Sequence, residues 1–132
     1  MFKIVIGRQV TRRRRRGPAC PQYTEEHRAI LKARVEERLP IIEAQTGLKA
    51  NGCTIRRMDT RWGSCNTRTH HINLSLMLAD KPDKWLDYVI VHELAHTVVP
   101  NHGPEFKALM DRIIPDWRAI RKEMNGRTSA NF

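Results

Sequence analysis

The chain has 132 residues, enough for one domain with its own core but small for an enzyme. Its 24 Lys and Arg against 14 Asp and Glu leave a net charge of +10, and no apolar run approaches the roughly 18 residues that a membrane span needs. Three cysteines, Cys20, Cys53 and Cys65, are an odd number without the spacing of a disulfide framework. That argues for a reducing compartment. The apolar start, Phe2 to Ile6, is too short for a secretory signal, and its charge follows rather than precedes it, so a cytoplasmic protein is expected.

The charge is uneven. Residues 1–23 hold seven basic side chains and no acid. They read as a flexible basic leader, with Phe2 to Ile6 as a short strand or ordered tail and Arg12, Arg13, Arg14, Arg15 and Arg16 as a run that cannot bury itself. Such a run either solubilises the chain or binds nucleic acid by displacing counterions from phosphates. No aromatic residue interleaves the arginines, so base stacking is not part of that reading.

Thr24 is a good N-cap, with Glu25 and Glu26 where the helix dipole stabilises them. Ile30, Leu31, Val35, Leu39 and Ile42 keep a helical period as far as Gly47, although Pro40 is expected to kink or split the helix. Between Cys53 and Leu76 the period becomes strand-like. Thr54–Met58, Thr60–Cys65 and His70–Leu74 read as three strands, with a turn at Asn66–Thr69. A small, mostly antiparallel sheet follows from them. Pro82 then opens a helix whose Leu86, Val89, Ile90 and Leu94 form an apolar face, and Pro100 ends it near Val99. Pro104 opens the next helix, with Phe106, Leu109, Met110 and Ile113 as its stripe. Asp116 caps a last short helix carrying Trp117, Ile120 and Met124. The domain is expected over residues 24–126, with a frayed tail at 127–132. The class is α+β, and a monomer is expected.

The central helix carries Val91-His92-Glu93-Leu94-Ala95-His96. Residues four apart share a helix face, so His92 and His96 can aim two imidazoles at one ion. Zinc takes nitrogen ligands at about 2.0–2.1 Å in a tetrahedron, with one position left open where it does chemistry. Glu93 sits about 100° around the helix, where its carboxylate reaches water at the open position without displacing a ligand. This is the HExxH pattern of zinc peptidases. A third ligand must come from beyond the helix, and His102 lies six residues after His96, the offset of the third histidine in HExxHxxGxxH proteins. Val99 stands where those have glycine, so Pro100 and Asn101 must make the turn, with Asn101 able to adopt the left-handed conformation. His70 and His71 are strand neighbours pointing to opposite faces, and Cys65 reads as a small buried hydrophobe rather than a ligand.

Arg61-Trp62-Gly63-Ser64-Cys65, Ile72-Asn73-Leu74, the run from Asp87 to His96, Asn101-His102-Gly103-Pro104-Glu105-Phe106 and Pro115-Asp116-Trp117 together resemble the YgjP-like metal-dependent hydrolases. These are relatives of the SprT-like and WLM zinc peptidases. The resemblance spans roughly residues 24 to 125. It implies a zincin-like fold in which the sheet packs on the N-terminal, HExxH and C-terminal helices. It also implies His92, His96 and His102 as ligands of one Zn2+ per chain, and Glu93 as the catalytic glutamate. In zincins the strand before the metal helix lines the cleft and pairs with extended substrate. The resemblance puts His71 to Leu74 near that place and makes Asn73 a candidate substrate contact.

A zinc peptidase acting on protein or peptide is the expected function, with Glu93 as general base and then general acid. Tyr88, one turn before His92, and Arg61 or Arg57 are candidates for stabilising the oxyanion. Glu105 either hydrogen-bonds a ligand's second nitrogen or compensates a helix dipole. Two other classes compete: a metal hydrolase of nucleotides or phosphoesters, and a non-catalytic zinc-stabilised module that binds nucleic acid. Against the first stand the missing glycine-rich loop and the missing second carboxylate cluster for magnesium.

Overall fold

The computed structural model describes residues 23–125; the expected strand at Phe2–Ile6, the Arg12–Arg16 run, Cys20 and the tail at 127–132 lie outside the described residues. Helix α1 spans Glu25–Thr46 and begins at a capping box. The Thr24 hydroxyl accepts from the His27 amide at 3.4 Å, and His27 Nδ1 accepts from the Thr24 amide at 3.1 Å. It ends at Gly47, whose φ of 76° is the left-handed conformation that glycine adopts without steric penalty. The helix runs through Pro40 as one element rather than two. Leu31 and Val35 before the proline and Ile42 after it are all buried, so packing on both sides outweighs the lost hydrogen bond.

Three strands follow: β1 (Gly52–Arg56), β2 (Gly63–Cys65) and β3 (His71–Ser75). Their order is β1-β3-β2. β2 and β3 form the antiparallel hairpin the sequence suggests, and Asn66 Oδ1 closes its turn by accepting from the amides of Arg68 and Thr69. β1 and β3, however, pair in parallel over five residues, so the sheet is mixed rather than mostly antiparallel. The cause is topological. After β1 the chain crosses to lay down β2 first, and β3 then returns into the middle place alongside β1 in the same direction.

A 3-10 turn at Leu76–Asp80 leads into α2 (Asp83–Ala95), with Pro82 just ahead of it at the N-cap. Here the structure departs from a helix with one apolar face. Every residue from Tyr88 to Ala95 is buried, so α2 is the axis of the molecule. The sheet lies against it, as do α1, α3 (Pro104–Ile113) and α4 (Trp117–Asn125). Polar ties fix its start. Arg34 donates to the Leu78 carbonyl at 2.9 Å and to Asp83 at 2.8 Å, and Arg38 makes a two-pronged pair with Asp87 at 3.0 and 2.9 Å. Trp85 Nε1 donates to Glu123 of α4 at 2.9 Å. Among the described residues no helix is long and apolar enough to cross a membrane.

Candidate metal centre

One turn of α2 stacks His92 below His96, and their Nε2 atoms lie 3.2 Å apart. The chain then overwinds: the amides of Thr97 and Val98 bond the carbonyls of Leu94 and Ala95, and the Val99 amide also bonds Ala95. Asn101 makes the bend with its side chain, its Oδ1 accepting from the Gly103 amide at 2.9 Å. Its backbone stays out of the left-handed region, where His70 is the sole non-glycine residue among those described. So no glycine is needed at position 99. The bend delivers His102, whose Nε2 is 3.0 Å from that of His96.

These distances test whether a metal suits the site. A tetrahedral zinc with bonds of 2.0–2.1 Å places its ligand atoms about 3.3 Å apart. The three histidines each offer one nitrogen, and all three atoms lie within 4.8 Å of one another. The tautomer agrees. His96 Nδ1 is 3.0 Å from the Val99 carbonyl, which only accepts, so the proton sits on Nδ1 and Nε2 presents its lone pair to the centre. Burial, then the neighbouring His96 and His102 rings and Arg121, push the His92 pKa down to about 2. Burial leads the lowering at His96 and His102 as well. Three neutral imidazoles converging on one point fit a zinc-type cation.

Phe106 of α3 is the support that periodicity alone did not single out. Its ring centroid lies 5.0, 5.0 and 4.8 Å from those of His92, His96 and His102, and it stacks on His96 at 21°. Only 2% exposed, it is a wall behind all three imidazoles. The clue was available in its place four residues after His102, at the first turn of α3.

Glu93 is 2% exposed, and burial raises its pKa to about 8 against the opposing charge of Arg61. It lies under Gly63 of β2. A Cβ at Gly63 would stand 2.9 Å from the Asn73 carbonyl oxygen and 3.0 Å from both Glu93 Oε2 and Val89 Cγ1. The glycine therefore lets the sheet close onto the carboxylate. Gly63→Ala is expected to destabilise the protein by about 1–3 kcal/mol through overpacking. A thermal melt should show the lowered midpoint, and zinc titration should show the metal site retained.

The imidazoles and Glu93 open onto a cleft of about 440 Å³, whose opposite wall is Thr60, Arg61, Gly63, Ser64, Cys65 and Thr67. The wall is thus β2 and its flanks, not β3 as the resemblance suggests. β3 occupies the middle of the sheet, which leaves β2 as the edge on the cleft. Asn73 is turned to its neighbour strand, donating to Ser64 Oγ at 3.1 Å. Tyr88 is fully buried, with its ring 5.6 Å from that of His92, so it backs that imidazole and is not among the cleft-lining residues. Arg57 donates to the Tyr23 carbonyl at 2.7 Å. Glu105 is exposed in the first turn of α3, where it faces the helix dipole and makes no hydrogen bond to a histidine among the described residues. His71 Nε2 meets Thr54 Oγ1 at 2.7 Å, away from the centre. Cys65 lines the cleft, half-buried, its thiol pKa raised to about 11 by burial and by Glu93.

Comparisons with known proteins agree with this geometry. The family described as YgjP-like, metallopeptidase domain, matches residues 10–127. Among solved structures, the metallopeptidase zymogen abylysin of Pyrococcus abyssi superposes with a TM-score of 0.66 at 18% identity, covering 74% of this chain and 98% of that one. The metallopeptidase zymogen jannalysin of Methanocaldococcus jannaschii gives a TM-score of 0.61 at 18% identity, over 70% of this chain and 95% of its own. The comparison with curated proteins gives no match. At such identities the two structures speak for the zincin-like fold, and the match over residues 10–127 speaks for the family: the chain belongs to the YgjP-like metallopeptidase domains.

Proposed function

We propose that this protein is a zinc-dependent peptidase of the HExxH type, with His92, His96 and His102 holding the metal and Glu93 handling the protons. The convergence of three imidazole nitrogens beside a buried carboxylate, on the floor of an open cleft, carries this reading. A bound zinc ion supplies a Lewis acid that polarises a carbonyl and acidifies water. The remaining tasks fall to the chain. Glu93, buried beneath Gly63, accepts a proton from the attacking water and returns it to the leaving amine. Phe106 fixes the rings of the ligands and keeps water from behind them.

β2 supplies the means of holding an extended peptide. The Trp62 carbonyl accepts from the Ser75 amide, and the Asn66 amide donates to the His71 carbonyl. Alternation then turns the main-chain groups of Gly63 and Cys65 away from β3, to the edge beside the cleft, which pairs with no strand among the described residues. An extended substrate adds there as a further strand, with its scissile bond above Glu93. A peptide suits this edge as a phosphoester does not.

The test is metal dependence. The purified protein is expected to bind one zinc per chain and to cleave an unfolded protein such as reduced casein. Chelation should remove metal and activity together, and zinc should restore both. Cleavage that proceeds at the same rate in metal-free protein would end this reading.

A further inference from the structure

Arg28, Arg34, Arg38 and Arg57 spend their guanidinium groups on carbonyls or carboxylates of the fold itself. Arg61 does not. It is exposed, it lines the cleft, and among the described residues no hydrogen bond or ion pair engages its side chain. Among the described residues the cleft wall holds no second cation and just one carboxylate, Glu93, which the reading above uses for proton transfer. Further charges bear on the centre from outside the lining, and they are of the same sign: Arg121 on His92 and His102, and Lys107 on His102. A zinc ion adds two more positive charges. Among the described residues the charges that face the substrate path beside Glu93 are thus positive, and they favour a negative group on the substrate.

Resting on the peptidase reading above, we propose that Arg61 is a specificity residue that binds a carboxylate of the substrate close to the scissile bond. Its position sets the distance. Arg61 is two residues ahead of Gly63, the glycine seated on Glu93. At about 3.3 Å per residue, a peptide lying along β2 passes Arg61 within about two residues of the bond that is cut. The guanidinium is permanently charged, and its planar fork matches a carboxylate with two parallel hydrogen bonds. Two sources can present that group at this distance: an Asp or Glu side chain inside a longer peptide, or the α-carboxylate of a chain end.

The experiment uses the full-length, zinc-loaded protein. Cleavage sites are first mapped by mass spectrometry in a digest of an unfolded protein. Quenched fluorescent peptides are then built around one site, with Asp, Asn, Ala or Lys at each flanking position and with a free or amidated C-terminus. An acidic residue, or the free terminus, is expected to raise kcat/KM roughly ten- to hundredfold over its neutral counterpart, chiefly through KM. Whichever of the two series shows the preference identifies the source of the carboxylate. Arg61→Ala should bring the acidic-to-neutral ratio near one, and Arg61→Lys should restore part of it. The ratio cancels any general effect of the arginine on Glu93. Binding of labelled peptides to Glu93→Gln, read by fluorescence anisotropy, should show the same preference without turnover, and lose it when Arg61→Ala is added. A flat ratio in the wild type, a preference that survives Arg61→Ala, or a uniform loss of kcat on all peptides would overturn the proposal while leaving the peptidase intact. Failure of the zinc-loaded protein to cut any peptide would overturn both.

Discussion

Replacing Glu93 by glutamine is expected to slow peptide hydrolysis by about 10²- to 10⁴-fold, the usual worth of a positioned general acid–base group. Glutamine keeps the volume and the packing under Gly63 but cannot carry a proton from water to amine. The side chain is 2% exposed, so a neutral amide suits its surroundings at least as well as a carboxylate, and folding should not suffer. Zinc content should equal that of the wild type, because Glu93 is not among the converging ligands. The decisive measurement pairs steady-state kinetics with metal analysis on the same preparation. If the variant hydrolyses peptides within severalfold of the wild type, Glu93 has no part in proton transfer. Intact zinc and nucleic-acid binding, with no hydrolysis even in the wild type, would point instead to a binding module.

The second large effect is at the metal. His102→Ala should weaken zinc binding by roughly 10²- to 10³-fold, one ligand's share of a typical site affinity. His102 is the histidine to remove because it is exposed, so its loss opens no cavity in the core. His92, at 3% exposure, would confound the result with unfolding. The metal-free variant should therefore melt close to the metal-free wild type. Added zinc should raise the wild-type midpoint and leave that of the variant nearly unmoved at the same concentration, since stabilisation follows ligand concentration over Kd. Equal shifts in the two proteins would show that His102 takes no share of the metal.

The reach of the sequence was set by how local each feature is. His92, Glu93 and His96 are legible because helical spacing alone places them, and His102 because six residues leave the chain little freedom. The mechanism of the bend was less so. A left-handed Asn101 was the expectation, whereas an Asn101 side-chain bond and an overwound helix end make the turn. Strand order was beyond local reading. Periodicity marks β1, β2 and β3 but says nothing about which lies in the middle; the resemblance offers Asn73 as a candidate substrate contact, whereas β2 and Arg61 line the cleft. Tyr88 shares a helix face with His92, as its spacing requires, yet that face is buried at position 88, where the core closes over α2. Phe106 belongs to a stripe that reads as core, and it is core; only the fold shows that three imidazoles rest on it.

The margin of β2 that faces away from β3 meets no strand among the described residues. A strand edge that can take up a peptide can equally take up any other extended chain, including one from a neighbouring molecule. β2 is three residues long, and Arg61 and Arg68 flank it. So short a template, bracketed by like charges that repel their own copies, is poorly suited to nucleating a growing stack.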